Sequence, residues 1–424
     1  MPPVLSRLPR WAYVVIAVGV LAAGGLTVWL VWGRAPEDVS NPDAEFTVPD
    51  ERPKPKKPKP ENFVWPIFGY TPDRAKYFET KLGPPFKEKW RFRADSLLEF
   101  PPVLSRKTLF FVTNRATAVA VNAETGKRVW QRRVGSLSAA SPAWSDGKLY
   151  VVTLDGRLTV LRGKDGKVLW KKDLPSRTES SPLILGKRVF FGSEDGTVYA
   201  LKAGNGKTIW TYQAPGAVKA GLAYSDGRLF FGDYAGVATA IRARDGKQVW
   251  DTQSAGLSLG RSGTFYSTPA VAFGRVYMGN TDGRVYSFTA RSGDLAWTQS
   301  TGAYVYSGPA AANVGAGPTV FIGSYTGRFY AFDARSGAER WSYQSGGRIS
   351  GAVSVIGDVV YFADIDTNDT QGLDVRTGKR VFHLDGIGGY APPISDGEWL
   401  YVTGHSRLLG FQKGRKRERP PKRR

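Results

Sequence analysis

Few residues in this chain have the types and spacing that acid–base, nucleophilic or metal chemistry requires. Asp364, Asp366 and Asn368 fall in one short stretch, with Asp369 beside them. Asp-x-Asp-x-Asn is the spacing that opens a calcium-binding loop, where hard oxygen ligands alternate along the chain. The rest of such a loop is missing. The position that needs Gly for a sharp turn is Asp369, and the twelfth position is Val375 instead of Glu. A solvated turn is therefore expected here, with no metal. The chain has two histidines, His383 and His405, and no cysteine. Neither histidine has partners at a spacing that suggests a triad, and both read as packing residues. Lack of cysteine excludes disulfides, thiolate-bound metals and a lipid-modified cysteine. No catalytic set is expected.

Aromatic and basic residues offer a different chemistry, that of binding. Tyr266, Tyr304, Tyr306, Tyr325 and Tyr390, with Arg177, Lys219 and Arg348, all fall in links and turns assigned to one face. Tyrosine with arginine is a composition typical of protein interfaces. The same residues also suit ordinary packing around a rim, and both readings stay open.

The elements that must position these residues form a repeat, seen in Asp195–Trp210. Val198, Ala200 and Lys202 alternate with Tyr199, Leu201 and Ala203, the period-2 pattern of a strand. Asn205-Gly206 reads as a two-residue primed turn, because both types tolerate positive φ. A lone hairpin cannot bury Trp210 in water. The pattern recurs as Gly126/Trp130, Gly166/Trp170, Gly206/Trp210, Gly246/Trp250, Gly293/Trp297, Gly337/Trp341 and Gly378/Phe382. Trp90 ends a similar strand, Phe86–Ala94, without a hairpin before it. Each unit of about 40 residues holds four strands, the signature of a propeller blade. The chain ends on three strands with no fourth, and Phe86–Ala94 supplies it. The expected fold is an all-β, eight-bladed propeller of four-stranded antiparallel blades over residues 86–412. One transmembrane helix is expected before it.

Ala120-x-Asn122-x-x-Thr125-Gly126-x-x-x-Trp130 and Ala331-x-Asp333-x-x-Ser336-Gly337-x-x-x-Trp341 resemble the tryptophan-docking motif of the PQQ-repeat, quinoprotein-like propellers. That family includes BamB-like proteins. The resemblance implies that Trp90, Trp130, Trp170, Trp210, Trp250, Trp297, Trp341 and Phe382 dock between neighbouring blades. It does not fix a function, since the repeat occurs in PQQ-dependent dehydrogenases and in a non-enzymatic subunit of the outer-membrane assembly machinery. A dehydrogenase of this kind needs a calcium site of Glu, Asn and Asp ligands beside the quinone. No matching set is evident here, so neither PQQ nor Ca2+ is expected.

The flanks set the compartment. Residues 1–10 precede Trp11–Trp32, which is 22 residues without a charge between Arg10 and Arg34. At 1.5 Å per residue that is about 33 Å, enough to cross a hydrocarbon core. Trp and Tyr at its ends form an aromatic belt, and flanking charges put residues 1–10 inside. A single-pass anchor over 11–33 is expected, with the propeller extracytoplasmic. Residues 34–62 read as a Pro/Lys-rich spacer, extended up to about 85 Å. Residues 63–85 read as a lead-in that packs on the ring, and 413–424 as a disordered basic tail.

Of the net charge of +22, +4 comes from Glu51–Pro60 and +7 from the tail. Outside a membrane these tracts suit anionic lipid or wall polymer, not nucleic acid. Longer excursions at Ser254–Ser267 and Ala363–Gly372 fall on one face, and Asn313–Pro318 on the other. The expected function is a monomeric, non-catalytic propeller that binds an envelope protein or polymer. The alternatives are a PQQ-dependent dehydrogenase and a propeller that senses a ligand or glycan.

Overall fold

The computed structural model describes residues 37–48, 63–256 and 263–414. The expected spanning helix, the Pro/Lys core of the linker and nearly all of the basic tail lie outside these residues. Among the described residues no helix is long and apolar enough to cross a membrane.

Eight antiparallel sheets form eight blades, and two of them gain a fifth strand at the inner edge. Blade 3 shows the plan, with strands Leu183–Leu185, Arg188–Gly192, Thr197–Lys202 and Thr208–Gln213 in order from the axis outwards. The register places Leu183, Phe190, Ala200 and Trp210 in one row across the blade. The second and third strands are buried on both faces, and the outer strand alternates with solvent. Ring closure follows the expected pattern. Phe86–Arg93 pairs with Arg407–Lys413 as the outer strand of blade 8, so both ends of the ring share one blade.

The turn in each outer hairpin differs from the two-residue form expected. Lys202 N–H bonds Lys207 O and Gly206 N–H bonds Lys202 O, both at 2.8 Å, which makes the loop four residues long. Gly206 takes positive φ (+72°), whereas Asn205 is not among the positive-φ residues and its side chain accepts from Lys207 N–H at 3.1 Å. The outcome suits packing. Gly206 lies under the indole of the preceding blade, where a Cβ would meet Trp170 at 2.8 Å. Gly126 meets Trp90 in the same way at 2.5 Å and Gly246 meets Trp210 at 2.7 Å. Most of the indoles also donate across the gap. Trp90 Nε1 reaches Ala123 O at 2.9 Å and Trp130 Nε1 reaches Gly163 O at 2.8 Å. Trp170 Nε1 has no partner; the equivalent carbonyl, Ala203 O, accepts from the Tyr150 hydroxyl.

Phe382 stands where blade 7 meets the closing blade. There the outer two strands come from opposite ends of the chain, so no hairpin carbonyl is present to accept an indole N–H. The ring packs against Phe86 (5.7 Å) and Phe411 (6.3 Å) instead.

Residues 63–85 thread the central channel. Val64–Trp65 pairs with the inner strand of blade 1, and Tyr77–Phe78 pairs in parallel with that of blade 7. Between them, backbone carbonyls of the lead-in accept inner-edge N–H groups. Trp144 donates to Pro66, Tyr224 to Pro72, Val271 to Asp73, Ala311 to Ala75 and Val355 to Lys76. Edges that face the channel are unpaired strand edges, and this segment satisfies them.

Residues 37–48 depart from the extended spacer expected over 34–62. Residues 38–41 run along the outer edge of blade 5, where Ser40 bridges Trp297 and Asn41 N–H bonds Ala296 O at 2.7 Å, and Thr47 N–H then reaches Phe273 O, in the turn between the first two strands of that blade, at 3.0 Å. Phe46 sits between the guanidinium groups of Arg275 (5.7 Å) and Arg335 (5.6 Å). An open sheet edge and two stacked cations hold a segment that its composition marks as linker.

The glycine–indole contact gives a direct test. Gly246→Ala adds a Cβ against Trp210 at a φ of +73° and should lower stability by about 2–4 kcal/mol. Gly204→Ala, in the equivalent loop of blade 3 with nothing within 4 Å of the added Cβ, should stay within about 1 kcal/mol of wild type. Denaturant midpoints of the two variants decide it.

Candidate functional site at the mouth of the channel

Each link between blades enters the next inner strand through an equivalent residue, four positions before that strand begins. Blades 1, 3 and 4 place Glu99, Glu179 and Lys219 there, and blades 5, 6 and 8 place Tyr266, Tyr306 and Tyr390. Blades 2 and 7 supply the small Ala139 and Ser350. The ring is thus divided into a charged arc and a tyrosine arc. All of these except Ala139 line a cavity of about 250 Å³ that also takes in Tyr325.

Charges within the ring are partly paired. Lys219 Nζ lies 3.1 Å from Glu179 and 3.2 Å from Glu194, and 5.3 Å from the centre of the Tyr234 ring. Arg177 reaches Glu194 at 3.8 Å. The Tyr266 hydroxyl donates to Glu179 at 3.4 Å. Glu99 has no ion-pair partner among the described residues; burial, and then the charge of Glu179, push its carboxyl above the ordinary range. Burial and then Glu179 and Glu99 raise the Tyr266 phenol, which places Glu99 within electrostatic reach across the cavity. Burial and then Glu99 act in the same direction on Tyr390.

The tyrosines grouped from sequence lie together. Tyr306 is 5.6 Å from Tyr266, 5.9 Å from Tyr304 and 4.9 Å from Tyr325, ring centre to ring centre. Arg348 lies 5.6 Å over Tyr325 and pairs with Asp366 at 2.6 Å. Tyr304 remains 51% exposed and Tyr390 37%.

The acidic stretch does not converge on one point. Asp364 is fully buried and accepts from Thr367 N–H (2.9 Å) and the Ser345 hydroxyl (3.1 Å). Asp366 is turned to Arg348, and Asn368 takes positive φ (+56°). Asp369 lies 3.0 Å from His383 Nε2, so His383 is a hydrogen-bond partner of the acidic stretch where sequence suggested packing. His405 occupies the turn between the second and third strands of blade 8, at φ +39°.

Two residues of the lead-in, neither signalled by any motif, form the floor. Arg74 is fully buried and donates to the carbonyls of Leu222 (2.5 Å), Phe68 (2.6 Å), Ser181 (2.9 Å) and Pro182 (3.4 Å). Lys76 Nζ donates to Pro309 O (2.8 Å), Arg74 O (3.1 Å) and Thr268 O (3.4 Å). Both cations lie over the Phe68 ring, at 5.8 and 5.7 Å, and Phe68 lines the cavity. Glu99 and Glu179 also went unremarked in sequence. Aligning the links on their inner strands would have exposed them.

This ring of docked indoles around a plugged channel defines an eight-bladed propeller of the PQQ-repeat class. The chain belongs to the PQQ_2 family, described as outer membrane protein assembly factor BamB, which matches residues 87–217, 194–314 and 282–421. No curated protein matches the sequence. Among solved structures it is similar to BamB from Moraxella catarrhalis, at 18% identity over 79% of this chain and 100% of that one, with a TM-score of 0.63. It is similar to the quinohemoprotein alcohol dehydrogenase ADHIIG from Pseudomonas putida HK5, at 14% identity over 90% and 85%, with a TM-score of 0.73. A europium-containing methanol dehydrogenase gives 14% identity over 84% and 99%, with a TM-score of 0.71. At these identities the likeness shows the fold alone.

The floor makes a prediction about stability. Burial, and then the charge of Arg74, push Lys76 well below the ordinary lysine range. The unfolded chain therefore binds that proton more tightly than the folded one. Stability from this group falls as pH drops below the ordinary lysine value and recovers as pH is raised toward it. Lys76→Met should flatten any rise in the denaturation midpoint as pH is raised toward the ordinary lysine value. Arg74→Ala, which leaves buried carbonyls without donors, should cost about 3–5 kcal/mol in the same measurement.

Proposed function

We propose that this chain is a non-catalytic, protein-binding propeller of the cell envelope, anchored through residues 11–33 with the ring outside the membrane. The observation that carries the reading is the contiguous tyrosine cluster at the mouth, stacked with Arg348 and left open at Tyr304 and Tyr390. Clustered aromatics with arginine are the usual anchors of protein interfaces. Family membership supports an envelope role, and the uncharged stretch 11–33 supports the anchor.

The mouth does not suit the quinone chemistry of the dehydrogenases that share this fold. Their cofactor is a polyanion. Here the charged arc presents two carboxylates, and Lys219 is already held between Glu179 and Glu194. The floor cations have their protons bonded to backbone carbonyls. Nothing in this donor set welcomes several further negative charges, and no cysteine is available to cover a quinone.

In-cell crosslinking of the full chain, followed by mass spectrometry, tests the reading. A reproducible envelope protein should be captured by the wild type. Tyr304→Glu combined with Tyr390→Glu should weaken capture at least tenfold, roughly 1.4 kcal/mol or more, with an unchanged melting temperature. Undiminished capture by the double variant, or recovery of cytoplasmic proteins alone, would sink the proposal.

A further inference from the structure

The partner's surface chemistry can be read from the cavity itself. The volume, about 250 Å³, falls below the roughly 300–1,000 Å³ of sites that take a drug-sized ligand. It has room for one long side chain. Its walls are unlike on opposite sides. Glu99 and Glu179 stand on the charged arc, and Tyr266, Tyr306 and Tyr390 on the other.

Three observations select the guest. Glu99 is a partly buried carboxylate, hydrogen-bonded by Asn114 but without an ion-pair partner among the described residues, and it shares the charged arc of the cavity with a second carboxylate, Glu179. A buried charge in that position gains most from an opposite charge brought to it. The tyrosine faces of this rim already hold cations twice, Lys219 over Tyr234 at 5.3 Å and Arg348 over Tyr325 at 5.6 Å. The two cations of the floor do not compete for the carboxylates. Arg74 and Lys76 are tied to backbone carbonyls and sit over Phe68, the ring that forms the cavity bottom.

We infer that the mouth is a socket for a single cationic side chain, an arginine guanidinium or a lysine ammonium presented by the bound protein. Glu99 and Glu179 meet the charge and the tyrosine arc covers the apolar stem. Lys219 pairs with Glu179 at 3.1 Å and orients it, which leaves Glu99 as the carboxylate that the guest meets unpaired. The inference rests on the protein-binding reading above and deepens it.

Isothermal titration of the full chain with acetyl-arginine methylamide tests it. Acetyl-citrulline methylamide, the uncharged isostere, is the control, and acetyl-glutamate methylamide the opposite charge. The arginine probe should bind at least about tenfold more tightly than either. Glu99→Gln should remove about tenfold of that affinity, and Tyr390→Leu, from the opposite arc, several-fold, in proteins of unchanged melting temperature. Equal affinity for citrulline, preference for the glutamate probe, or no saturable binding of arginine in the millimolar range would each overturn the socket. So would full affinity in a folded Glu99→Gln variant. The two readings fail separately. Partner capture that depends on Tyr304 and Tyr390 without arginine preference removes the socket and keeps the interface. Arginine preference without a captured partner does the reverse.

Discussion

The contact that the architecture depends on is an indole lying on a glycine of the next blade. Two demands meet there. A four-stranded blade has two apolar faces and cannot shield them alone, so blades must touch face to face. The outer hairpin must also turn tightly, which calls for one residue at positive φ. Gly246 does both, turning the chain at +73° and leaving room for Trp210. Because each blade supplies the indole for one neighbour and the glycine for the other, the contact propagates around the ring. It cannot propagate across the seam, where Phe86–Arg93 and Arg407–Lys413 are brought together by pairing alone. Phe382 there keeps the apolar area and omits the N–H that would have no acceptor.

Eight blades leave a channel wide enough that inner strand edges do not cover one another. Their N–H and C=O groups are the unsatisfied remainder of the fold. The lead-in satisfies both kinds. Its own carbonyls take the N–H groups, and the side chains of Arg74 and Lys76 take carbonyls from blades 3, 4, 5 and 6. Two cations are thus buried without a carboxylate. Several well-placed carbonyl dipoles replace the water each has lost, which offsets a desolvation cost of several kcal/mol per ion. The same plug closes the channel beneath the mouth and turns a tunnel into a cavity with a floor.

The ring was legible in sequence because its signal is repeated: one misread turn leaves six others to correct the count. The four-residue loop at Asn205-Gly206 shows the limit. The residue types signalled a hairpin, but packing against Trp170 chose the turn. The tyrosines were legible as a group because they stand out by type. Glu99 and Glu179 were not, since a glutamate in a link looks like any solvated charge until the links are aligned on the strands they enter. Arg74 and Lys76 were beyond reach. They lie outside the repeat, and their partners are backbone carbonyls, which leave no trace in residue types.

Residues 37–48 change what the N-terminal segment does mechanically. Read as linker, 34–62 would let the ring range up to about 85 Å from an anchor. Asp38 instead accepts from Ser300 N–H at 3.0 Å and pairs with Arg284, at the mouth end of blade 5. From Gly33 to Asp38 is five residues, at most about 18 Å when fully extended. The Pro/Lys tract then joins two segments that are both bound to the ring, Thr47 at blade 5 and Phe63 at the channel, so its length adds nothing to the tether. Were residues 11–33 to lie in a bilayer, as proposed, the mouth rim of blade 5 would be held beside the membrane surface. A protein filling the tyrosine mouth would then be met close to that surface, at a local concentration set by a short leash rather than by the reach of a polyproline arm.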